Sequence, residues 1–147
     1  MDITINALGG CIFTNMQKQL LDNRTAIEEL IHAFYTKVQA DELLGPVFNN
    51  VHNFSWDTHI PVMVDFWETL LLHTATYKGN TMAKHLELNR RTPLTTEYFD
   101  QWKLLFYETL DNMFEGKGVE EARKRVEAMS GLMQYKIRES ERKGFIQ

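Results

Sequence analysis

From residue 24 onward the chain alternates stretches whose apolar positions recur every three or four residues with short polar breaks. That spacing is helical, because a helix turns 100° per residue and gathers such positions on one stripe. The first stretch carries Ile27, Leu30, Ile31, Phe34 and Val38, with Thr25 and Glu28 spaced as a capping box and Gly45-Pro46 stopping the run beyond it. The second, residues 56 to 72, gathers Trp56, Ile60, Met63, Phe66, Trp67 and Leu70 on one side with His59 among them. Its other side carries Asp57, Thr58, Asp65, Glu68 and Thr69, and Pro61 predicts either a first-turn position or a kink. A short helical piece over 81 to 88 follows a polar segment with Gly79 and precedes a breaker over 89 to 93. Residues 96 to 115 align Phe99, Trp102, Phe106, Thr109, Leu110 and Met113, with Gly116 as the stop. The last stretch, 119 to about 143, buries Ala122, Val126, Met129, Met133 and Ile137 beneath a face dense in Glu, Arg and Lys, which reads as a solvated surface. Residues 1 to 23 hold no sustained period: Gly9-Gly10 interrupts them and only 16 to 21 hint at a helix, so they read as an extension or a loose first helix. With no alternating strand pattern, repeat or low-complexity linker, the pattern predicts an all-α chain with one domain over 24 to 147.

Composition narrows the function classes. At 147 residues, 44% hydrophobic and 12% aromatic, the chain buries one good core. A net charge of -4 with scattered positive charge excludes a nucleic-acid surface. Apolar runs such as 70 to 72 are too short to cross a bilayer, and the amino terminus shows no basic segment followed by an apolar one, so a cytoplasmic protein with no membrane partner is expected. The single Cys11 rules out an internal disulfide and a multi-thiolate metal site and reads as an incidental thiol. HExxH, P-loop, dinucleotide-glycine and GxSxG patterns are absent. One Glu29-x-x-His32 spacing occurs where a di-iron bundle needs two, so that pair reads as surface.

The candidate chemistry lies in Tyr35, His59, His85 and Trp102. His59 shares a stripe with apolar residues, and a buried imidazole needs partners, since an unsatisfied polar group costs roughly 1–3 kcal/mol. Alone it reads as a satisfied core histidine or as a ligand-facing one. Tyr35, at the edge of the first stripe, either bonds to backbone or reaches a polar cavity with its hydroxyl; Trp102 must direct its N–H to a backbone carbonyl or to something bound in the core. His85, on a short helix between two loops, is suited to holding an iron from one side, so the group together suggests a haem pocket.

Phe34-Tyr35, Leu44-Gly45-Pro46-Val47-Phe48, and Trp56-x-x-His59 running to Phe66-Trp67 are similar to the truncated haemoglobins. Tyr77-Lys78-Gly79 before Lys84-His85-Leu86, then Tyr98-Phe99 with Trp102, continue that resemblance, which covers roughly residues 23 to 138. The family's first two groups carry paired glycines after the first long helix and after the distal helix; here the only Gly-Gly lies outside the matching region, so the third group is the nearest in kind. The resemblance implies a truncated globin-like helical sandwich around haem b. It makes His85 the iron ligand, lines the opposite side with Tyr35, His59 and Trp102, and packs the porphyrin with Phe48, Met63, Phe66, Trp67 and Phe99. Lys84 and Arg90 are candidate partners for the propionates. The function implied is reversible binding of O2, NO or CO on ferrous iron, in O2/NO chemistry or sensing rather than bulk transport. The alternatives are peroxidase-like or NO-dioxygenase activity, with His59 as proton shuttle, peroxide as a further ligand and a reductase as partner, and a cofactor-free helical interaction module.

Overall fold

The computed structural model describes residues 17 to 142 in full and, ahead of them, the backbone of two strands. Those strands, β1 (Asp2–Ile5) and β2 (Ile12–Asn15), pair antiparallel with Asp2 opposite Asn15 and Ile5 opposite Ile12. A third, β3 (Gln19–Leu20), stands where a short helix was expected, and pairs in parallel with β4 (Phe114–Glu115). A helix of so few residues repays its nucleation poorly, whereas pairing to a distant segment satisfies the same backbone groups at once. The described part of the extension carries strand at 2–5, 12–15 and 19–20 and no helix; Gly9-Gly10, Cys11 and Met16 lie outside the described residues.

Six helices carry the rest: α1 (Arg24–Ala40), α2 (Gly45–Asn49), α3 (Trp56–Leu72), α4 (Thr81–Arg91), α5 (Thr96–Met113) and α6 (Lys117–Arg142). The cap of α1 is Asn23, whose Oδ1 accepts from Ala26 N at 2.9 Å, so the Thr25/Glu28 capping box is not formed. Asparagine one residue before the helix satisfies the free amide first, and Glu28 pairs instead with Arg24 at 3.7 Å. Gly45-Pro46, expected only to break the chain, opens α2; proline at a helix start has no N–H to waste. Pro61 lies inside α3, which continues through it to Leu72. The α4 helix runs to Arg91, past the expected break at Asn89, and ends at Thr92, the residue before Pro93. The α5 helix stops at Met113, short of Gly116, because Phe114 turns extended to pair with Gln19.

Packing follows the stripes. The α1 helix lies against both α3 and α5, and α6 closes over α3, α4 and α5. Phe34 of α1, Trp67 of α3 and Trp102 of α5 all meet Phe106, with Trp67 and Trp102 stacked on it at 4.9 Å between centroids and Phe34 edge-on at 5.1 Å. One aromatic knot thus holds three helices in register. Glu68, placed by its pattern on the solvent face, is instead buried. Its Oε1 accepts from Arg24 Nη1 at 2.9 Å and Thr76 Oγ1 at 2.8 Å, which is what makes that burial tolerable. Among the described residues no helix is long and apolar enough to cross a membrane.

Candidate functional site

The inward stripe of α3 delivers His59 into a box of rings. Tyr35 of α1 meets it edge-on at 5.0 Å, Phe48 of α2 lies 5.8 Å away, and Phe54 and Trp56 stand at 5.2 and 5.9 Å. Apolar rings give an imidazole no acceptor, and His59 Nε2 is buried with no hydrogen-bond partner. Native folds rarely leave such an atom orphaned, so it points to something the protein takes up. Burial, with the nearness of His85, pushes the His59 imidazole down to about 4, keeping it neutral at pH 7.

Tyr35 and Trp102 bring two further polar groups, although His59 Nε2 is the one buried side-chain polar atom left without a partner among the described residues. Tyr35 is 5% exposed, burial pushes its phenol up so that it stays protonated, and its hydroxyl has no hydrogen-bond partner among the described residues. Trp102, stacked on Phe106 and edge-on to Phe34 at 4.9 Å, likewise directs its indole N–H to no acceptor among them.

His85 of α4 is arranged differently. Its Nδ1 lies 2.8 Å from the carbonyl oxygen of Thr81, one turn earlier. A carbonyl can only accept, so Nδ1 carries the proton and Nε2 keeps its lone pair, the tautomer a metal-ligating imidazole needs. Burial lowers the His85 pKa against the raising effect of the Thr81 carbonyl, so the neutral ring persists.

The remaining predicted pocket residues separate into two kinds. Phe48 belongs to the His59 box, and Phe66 packs edge-on against Trp67 at 5.7 Å and Tyr77 at 5.0 Å. Trp67, 2% exposed, is committed to the core through its stacking on Phe106. Met63 and Phe99 are half-buried, and Phe99 makes no ring contact with the others among the described residues. Lys84 and Arg90 are exposed on α4. Sequence reasoning missed Phe54 as a wall of the box, since it sits in a loop with no periodic signal, and missed the Thr81 carbonyl, whose only trace is its i−4 spacing from His85.

No group of three or more His, Cys, Asp or Glu among the described residues is placed to hold a bare metal ion. An imidazole whose Nε2 keeps its lone pair, apolar rings and one orphaned polar atom, His59 Nε2, suit instead a flat cofactor that brings its own equatorial nitrogens, as haem does. The residues present fit that group.

No family model matches the chain. It is 37% identical over 95 residues, 63% of its length, to a group 3 truncated haemoglobin of Campylobacter jejuni, and spans 72% of that protein. The crystal structure of group III truncated haemoglobin from Campylobacter jejuni matches with a TM-score of 0.74 at 31% identity, over 82% of this chain and 95% of that one. The chain belongs to the truncated haemoglobins, in group III, and is by family a globin-type haem protein. That sets aside the cofactor-free interaction module.

Proposed function

We infer that the chain binds haem b with His85 Nε2 on the iron and with Tyr35, His59 and Trp102 lining the opposite side, and that it works in O2/NO chemistry or sensing rather than bulk transport. The observation that carries this reading is the buried Nε2 of His59, which has no hydrogen-bond partner among the described residues, beside Tyr35, whose ring lies 5.0 Å from it. Haem, when bound, supplies an iron that takes a diatomic molecule such as O2, NO or CO on its open face. Tyr35 stays protonated because burial disfavours its anion, so it can only help as a donor. Trp102 is a donor by chemistry, and its stacking on Phe106 fixes the direction of its N–H. Phe48, Met63, Phe66, Trp67 and Phe99 supply apolar wall and exclude water, which strengthens each of those hydrogen bonds.

A hydrogen bond to a strongly polarised acceptor contributes roughly 1.5–3 kcal/mol, which slows escape of the acceptor roughly tenfold to a hundredfold. Stopped-flow O2 release should therefore accelerate by about that factor in Tyr35→Phe and in Trp102→Leu. Unchanged release in both variants removes the donors from the account.

A second reading is favoured by the His59 imidazole itself, which is neutral at pH 7 with a free ring nitrogen able to take up a proton. In peroxidase-like or NO-dioxygenase turnover, with peroxide or NO as substrate and a reductase as partner, His59 is the proton carrier. Turnover that falls in His59→Leu while O2 release stays slow favours this reading over simple ligand binding.

A further inference from the structure

We propose that Tyr77 is a positioning residue for His85 and acts through Thr81. Thr81 faces two ways at the first turn of α4: its hydroxyl is hydrogen-bonded to the Tyr77 hydroxyl at 2.9 Å, and its carbonyl accepts from His85 Nδ1 at 2.8 Å. Whatever fixes Thr81 fixes the plane and tilt of the imidazole.

Tyr77 is itself fixed from three directions. Its backbone N–H donates to Thr69 Oγ1 of α3 at 3.0 Å, its ring packs edge-on against Phe66 of α3 at 5.0 Å, and its hydroxyl holds Thr81. Gly79 makes the arrangement possible, since a Cβ there would stand 2.4 Å from the Tyr77 hydroxyl. The segment leading to Tyr77 is anchored by Thr76, whose hydroxyl donates to the buried Glu68 at 2.8 Å. At its other end α4 is tied by Asn89, which accepts from Leu94 N at 2.7 Å and donates to Glu141 at 2.9 Å. The helix bearing His85 is thus linked to α3 at its start through Tyr77 and to α6 at its end through Asn89, and the Tyr77–Thr81 pair lies at the turn whose carbonyl holds the imidazole.

The consequence is electronic as well as geometric. A well-directed Nδ1–H to carbonyl bond makes the imidazole a stronger donor through Nε2, and loosening such an outer partner typically weakens metal affinity about 10- to 100-fold. This inference rests on His85 being the iron ligand.

The test uses the full haem-loaded chain. Tyr77→Phe keeps the ring against Phe66 and removes only the hydroxyl; Thr81→Val removes the other half of the pair, and Thr81→Ser restores it. In Tyr77→Phe and Thr81→Val the iron–histidine stretching band of the ferrous protein should move to lower frequency, the reduction potential should rise, and haem loss to an acceptor protein should quicken roughly tenfold. The Tyr77→Phe/Thr81→Val double variant should add nothing further, and Thr81→Ser should behave as the unsubstituted chain. Variants that lose thermal stability but keep band, potential and haem-loss rate overturn the proposal while leaving His85 as ligand. An unsubstituted protein whose iron–histidine band survives in His85→Gly overturns both.

Discussion

His59 shows how much one residue's behaviour depends on what surrounds it. Its inward direction was legible from the helical stripe it shares with Trp56 and Met63, but the absence of a partner for Nε2 was not, because that box is assembled from α1, α2, α3 and the loop carrying Phe54. Glu68 is the converse case. Its pattern placed it in solvent, and only the arrival of Arg24 from α1 and Thr76 from the following loop buries it. The His59 environment also sets a pH response. Its pKa falls from 6.5 to about 4 on folding, so in the haem-free protein the unfolded chain takes up a proton below pH 6.5 that the folded chain refuses until near pH 4. Stability is therefore full above pH 6.5 and lost as pH falls through that window. Between pH 7 and 4.5 the loss should be about 2–3 kcal/mol greater than in His59→Leu, read from urea unfolding at the two values. Equal losses would mean the imidazole is not held neutral.

At the level of elements, periodicity located the long helices because each buries one stripe, and it failed where long-range contacts decide the outcome. Phe114 leaves α5 to pair with Gln19, a partner 95 residues earlier that no local pattern announces. The same junction makes a backbone demand at the start of α6. A Cβ at Gly118 would lie 2.2 Å from the carbonyl oxygen of Leu21, whereas one at Gly131 of the same helix meets nothing within 4 Å. Gly118→Ala should cost roughly 1–3 kcal/mol because backbone must shift to admit the methyl group. Gly131→Ala should stabilise by about 0.5–1 kcal/mol, because alanine is the better helix former. Thermal unfolding of the two variants measures both, and equal effects would contradict the close approach of α6 to Leu21.

For the whole molecule, the sequence carried the all-α class, the helix order and the spacing of Tyr35, His59, His85 and Trp102, and the fold places these four on four different helices. What it could not carry was which rings the accompanying aromatics meet: Trp67 stacks on Phe106, while Phe48 stands beside His59. Two observations stand beside these: a neutral His85 with Nδ1 tied to Thr81, and a buried His59 Nε2 with no hydrogen-bond partner among the described residues. The central claim is that His85 holds a haem iron whose other side is open to small ligands. Its most direct test is the absorption spectrum of the protein expressed with adequate haem, recorded oxidised, reduced and under carbon monoxide, beside His85→Gly. The expected result is a Soret band that shifts at each step and is weakened or altered in the variant. A missing Soret band, or one indifferent to His85, would contradict the claim.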